Sequence, residues 1–210
     1  MMLGRQSFLL FVLLCITGSV FAQKEKKAIR LNSGVIYTSP NILSDSIESI
    51  NRRALRQEKG FFIIQFETVP TEEVKRELVA SGITLLEYIP DNAYTASVTK
   101  KLDREVLQRA KARAILVPTP QQKMHPSLLQ LTKSRIAGTK ANIQYNIQIR
   151  FPQSFTAAEV IDALTALKFI VVNKGLLSYR IISVQVRADQ LAELAAKPFV
   201  EYMQEEAMQV

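Results

Sequence analysis

The sequence predicts an α+β fold in which one order of elements, strand, helix, strand, strand, helix, strand, occurs twice behind an export signal. Three observations predict it. An amino-terminal apolar run has the length and flanks of a signal peptide. Period-two apolar runs then alternate with stretches of helical period. Finally, the pattern read over residues 58–118 returns over residues 141–206.

The signal is built from Arg5, the apolar run Phe8 to Ile16, the helix-breaking pair Gly18-Ser19, and small residues in Val20-Phe21-Ala22. This pattern predicts cleavage between Ala22 and Gln23, a signal peptide over residues 1–22 and an exported mature chain. The run is shorter than the ~20 apolar residues needed to span a hydrocarbon core, so no membrane contact is expected after signal removal. Cys15 is the only cysteine and lies within the run. Leu14 before it is bulky where lipid attachment wants a small residue, which argues for plain cleavage. A mature chain without cysteine has no disulfide and depends on its apolar core. Apolar residues make up 48% of the chain, enough for one or two domains.

Residues 23–57 read as an extended amino-terminal segment, with a hairpin around Asn32-Ser33-Gly34 and a polar helix from Ser44 to Gln57. The first unit, 58–118, opens with the buried strand Phe61 to Phe66. A helix follows from Pro70-Thr71-Glu72-Glu73, with Val74 and Leu78 on one face, and Gly82 ends it. Ile83 to Ile89 and Tyr94 to Val98 form two strands joined at Pro90-Asp91-Asn92; Leu102 to Ala112 is helical, and Ala114 to Val117 is a last strand stopped by Pro118 and Pro120. Residues 119–140 read as a basic linker with one short helix after Pro126.

The second unit, 141–206, repeats the plan. Ile143 to Phe151 is a strand, Thr156 and Glu159 make a capping box, and Val160, Ile161, Leu164 and Leu167 follow at helical spacing. Phe169 to Val172 and Tyr179 to Val186 are strands around an Asn173-Lys174-Gly175 turn. Asp189 to Ala196 is helical, Phe199 to Met203 is the final strand, and 207–210 form a tail. This order is the split ferredoxin-like (βαββαβ) plan, two units in tandem.

The chemical inventory excludes a self-sufficient enzyme. The single histidine, His125, lies in the linker, with no nucleophile-and-base pattern, glycine-rich phosphate loop, or histidine or cysteine cluster. No catalytic residue, cofactor or metal ligand is therefore expected. Glu72-Glu73 compensates a helix dipole and Glu205-Glu206 is solvated. The formal net charge of +8 comes largely from residues 23–59 and 100–141 and reads as a solvated face and linker. Nucleic acid is not an expected partner: the strand around Tyr94 lacks the aromatic signature of RNA-recognition domains.

One set of residues is more specific. Gly60 to Phe66, Pro70 to Leu78 with Gly82-Ile83, and above all Leu86-Glu87-Tyr88-Ile89-Pro90-Asp91-Asn92-Ala93-Tyr94 resemble the amino-terminal prodomain region of secreted bacterial subtilisin-like serine proteases. The resemblance spans 28–117 well and 141–204 more loosely. It implies an exported prodomain-like module, a folding helper and inhibitor whose partner is a subtilisin-like catalytic domain; the aspartate, histidine and serine motifs of that domain are not in this chain. It also implies that the carboxyl-terminal tail, with Met203, Glu205, Glu206, Met208 and Val210, contacts the protease by strand addition. The alternatives are an exported interaction module unrelated to proteolysis and a truncated protease fragment without function.

Overall fold

A computed structural model describes residues 27–38, 43–56, 59–134 and 143–206. The described chain is a mixed α/β structure with antiparallel sheets and six α-helices. Ala22 and Gln23 lie outside the described residues, as do Met208 and Val210.

Strands β1 (Lys27–Leu31) and β2 (Gly34–Thr38) form a hairpin at the expected turn. Gly34 sits at φ +139°, a region open to glycine and costly for other residues. Helix α1 (Leu43–Leu55) follows. The first large sheet contains β3 (Phe62–Phe66), β4 (Ile83–Ile89), β5 (Ala93–Val98) and β6 (Ala112–Leu116) in the order β4-β5-β3-β6. Between them lie α2 (Glu72–Ala80), capped by the Thr71 hydroxyl, and α3 (Arg104–Arg109), capped by Asp103. Alternation along β3 separates the two faces. Phe62, Ile64 and Phe66 pack with Leu78 of α2, Val106 and Leu107 of α3, and Ile50 of α1. Ile63 points the other way, into a small core with Ala93 and Ile29 of the hairpin.

Gln65 lies in the middle of β3 and is fully buried. Its Nε2 donates to the Ala28 and Asp91 carbonyls, at 3.1 and 3.0 Å, and its Oε1 accepts from the Thr38 hydroxyl. An unpaired carboxamide there would cost about 1–3 kcal/mol, so these bonds are the condition for seating the hairpin on the outer face of the sheet.

The second large sheet contains β7 (Gln144–Arg150), β8 (Ile170–Asn173), β9 (Ile181–Arg187) and β10 (Tyr202–Glu205), ordered β10-β7-β9-β8, with α5 (Ala157–Ala166) and α6 (Leu191–Ala195) between strands. Numbered within each sheet, both read fourth, first, third, second, and every pairing is antiparallel. The capping box at Thr156 and Glu159 is present. Ile147, Ile149, Ile182 and Val184 meet Val160 and Leu164 of α5 and Leu191 and Leu194 of α6.

Several boundaries differ from the sequence reading. Helix α3 stops at Arg109 because Lys111 adopts φ +55° and turns the chain into β6. Tyr179 belongs to a 3-10 turn, Leu177–Tyr179, and the left-handed Arg180 (φ +58°) closes that turn before β9 begins. The last strand starts at Tyr202 rather than Phe199. Pro198 has no N–H to give to a ladder, and Val200 N bonds back to the Lys197 carbonyl in a turn. The stretch read as a linker is packed as far as it is described. Met124 and Leu128, the latter in α4 (Pro126–Ser134), are buried in the second core. His125 N donates to the Met203 carbonyl at 2.8 Å, on the open edge of β10.

Candidate functional site

The tail residues are divided by the pleat of β10. Met203 is fully buried in the second core, which corrects its assignment to a protease-contact surface: its strand position faces inward, and pairing with Ile149 holds it there. Glu205 is exposed. Glu206 extends the ladder, its N–H donating to the Asn146 carbonyl at 2.8 Å. Its carboxylate accepts from the Ser183 hydroxyl at 2.8 Å and from Asn173 Nδ2 at 3.4 Å. Residues 203–206 are thus committed to the sheet.

Among the described residues, the outer face of the second sheet has no counterpart of the amino-terminal hairpin. Gln144, Asn146 and Gln148 of β7, Gln185 of β9 and Gln204 of β10 line a shallow concavity on that side. Gln204 Nε2 donates to Gln148 Oε1 at 3.2 Å. Glu205 and Glu206 line the same concavity, and the carboxamides, which both donate and accept without carrying charge, suit a partner that presents peptide groups or hydroxyls. Along the neighbouring edge strand β8, Ile170 is 57% exposed and Val172 43%. An open edge with apolar side chains is a template for strand addition.

Where the two sheets meet, four charged side chains converge. A bulge in β4 between Leu85 and Tyr88 restores Glu87 to the outer side, where its N–H donates to the Thr95 hydroxyl. Its carboxylate accepts two bonds from Arg150 Nη2, at 2.9 and 2.7 Å, and another from Arg180 Nη2. Arg150 Nε faces Glu201 Oε2 at 3.7 Å, too far for a hydrogen bond, and both atoms are buried without another partner. Burial pushes the Glu201 carboxyl above its usual range; Arg150 opposes this and Glu87 adds to it. A cleft of about 220 Å³ opens beside the cluster, lined also by Arg30, Phe61, Tyr88, Pro118 and Tyr202. The Glu87 carboxylate is shared by two guanidinium groups, so the cluster ties the first large sheet to the second.

The Tyr88-to-Tyr94 run has a local structural role. Asp91 and Asn92 adopt φ +70° and +59°, which these short polar side chains tolerate, and the rings of Tyr88 and Tyr94 meet edge to face at 5.3 Å. The Asn92 side chain donates to the Glu67 carbonyl. His125 is exposed, and its Nδ1 pairs with the Ser127 hydroxyl at 2.8 Å. Among the described residues no cluster of His, Cys, Asp and Glu could hold a metal ion, and no helix is long and apolar enough to cross a membrane.

Sequence reasoning did not find the Glu87, Arg150, Arg180 and Glu201 cluster. The only local hint is Glu201 between the apolar Val200 and Tyr202, and it names no partner. Residues 30–119, from the first hairpin through the close of the first large sheet, match the family described as "Domain of unknown function (DUF8729)". Comparison with curated proteins and with solved structures gives no match.

Proposed function

We propose that this chain is an exported, non-catalytic docking module of two ferredoxin-like units in tandem. It acts as a folding helper and inhibitor of a subtilisin-like serine protease domain. The observation that carries the reading is the unequal covering of two equivalent sheets. Both sheets read fourth, first, third, second, an order that supports the ferredoxin-like reading, yet among the described residues a hairpin closes the outer face of the first while that of the second stays open and rich in carboxamides. The choice of partner rests on the resemblance of residues 60–94 to subtilase prodomains. With Met203 in the core, the contact is assigned to the open face and the β8 edge rather than to residues 203–206.

The test adds the chain from Gln23 to a subtilisin-like protease and measures peptidase inhibition and the refolding yield of the denatured catalytic domain. Inhibition and improved refolding are expected, and both should weaken in Gln148→Arg/Gln204→Arg, which places charge on the open face without touching the core. If the chain neither inhibits nor assists refolding, the protease reading fails. Equal activity of the double variant would sink the assignment of the face.

A further inference from the structure

We infer that a second pocket at the seam, between Arg53 and Lys123, is a binding site for a small organic carboxylate. Lys123 follows the first unit in a 3-10 turn, Gln121–Lys123, and is 6% exposed. Its ammonium donates to the Lys197 carbonyl at 3.1 Å and lies 5.3 Å from the centre of the Phe61 ring. Neither contact supplies negative charge. The charged group that acts on it is Arg53 of α1, a second cation, whose guanidinium lies beside Gly60. Among the described residues no aspartate or glutamate lines this pocket of about 190 Å³. Two cations turned toward one cavity, with no counter-ion among the described residues that line it, repel each other, and a buried ammonium is costly. An anion between them removes both costs at once.

The walls select the rest of the ligand. Phe61, Val117, Pro118, Pro120 and Pro198 are apolar and largely rigid, so they accept a short hydrocarbon tail and offer few donors for a fully hydrated ion. The pocket takes Arg53 from α1 of the amino-terminal segment, Phe61 from the first unit and Pro198 from the second. A bound carboxylate therefore also braces the two units against each other.

The experiment titrates the chain from Gln23 with butyrate, and with butylamine as the cation of matching size, by calorimetry at pH 7, and follows Tm with each. Butyrate should bind and raise Tm, butylamine should do neither, and Lys123→Met and Arg53→Gln should each weaken butyrate binding by about tenfold, the equivalent of losing one charge-assisted bond. Arg53 is only partly buried, so its variant tests the site even if Lys123→Met alters folding. Absence of butyrate binding, equal binding of butylamine, or unchanged affinity in both variants would overturn the assignment.

Discussion

Replacing Lys123 by methionine should stabilise the protein at neutral pH and destabilise it in alkali. Burial, with Arg53 nearby, lowers the Lys123 ammonium from an ordinary value near 10.5 to about 8. At about 1.4 kcal/mol for each tenfold change in proton affinity, holding that proton in the folded state costs about 3 kcal/mol. The folded chain binds this proton more weakly than the unfolded chain, so between pH 8 and 10.5 the unfolded state carries more protons and stability rises with pH. Below pH 8 the cost stands in full. Methionine keeps the stem over Phe61 and removes the charge, but it forfeits the bond to the Lys197 carbonyl, worth about 1 kcal/mol. The variant should therefore be more stable by about 2 kcal/mol at pH 7, equal near pH ~10, and less stable by about 1 kcal/mol above that. Urea unfolding of both proteins at pH 7, 9 and 10.5 reads this difference, and ionisations common to both cancel. A variant less stable at pH 7, or a difference that does not change with pH, would refute the reasoning.

Three further outcomes test the rest of the structure. Glu201→Gln should raise Tm at pH 7: burial holds the folded carboxyl above its ordinary value, so its cost is present at neutral pH and disappears as the pH falls below the unfolded value of 4.5. A gain in Tm that persists unchanged at pH 4 would count against this. Glu87→Gln leaves Arg150 and Arg180 facing each other without their shared carboxylate; with the Glu87 side chain 29% exposed, the loss is discounted to about 2 kcal/mol and should appear in the urea midpoint. Ile64→Asp and Val184→Asp each place a carboxylate at a fully buried position and should cost several kcal/mol, enough to abolish cooperative thermal unfolding of the affected sheet. Near-native transitions in both would mean that the core faces are misassigned.

The order of elements was legible because it is a local property. Period-two runs such as Ile182, Val184 and Val186, the capping box at Thr156, the glycine stop at Gly82 and the turn at Asp91-Asn92 each depend on residues a few positions apart. The repetition of that order along the chain was visible for the same reason. Boundaries slipped where one backbone conformation decided them, at Lys111 and Arg180, because a left-handed lysine or arginine has no compositional signature.

What only the tertiary structure decided is which surfaces are covered and which charges meet. Gln65 reads as a polar interruption of a buried strand until the hairpin supplies Ala28 and Thr38 as its partners. Lys123 reads as one more cation of a basic linker, yet it is buried against Phe61 and the Lys197 carbonyl. Glu87 meets Arg150 and Arg180 across 63 and 93 residues of chain, and the bulge in β4 governs which side Glu87 takes. A sequence period reports the backbone's own repeat and its preference for burial. The docking of one sheet against another depends instead on complementary side chains brought together from distant parts of the chain, and no local repeat encodes that pairing.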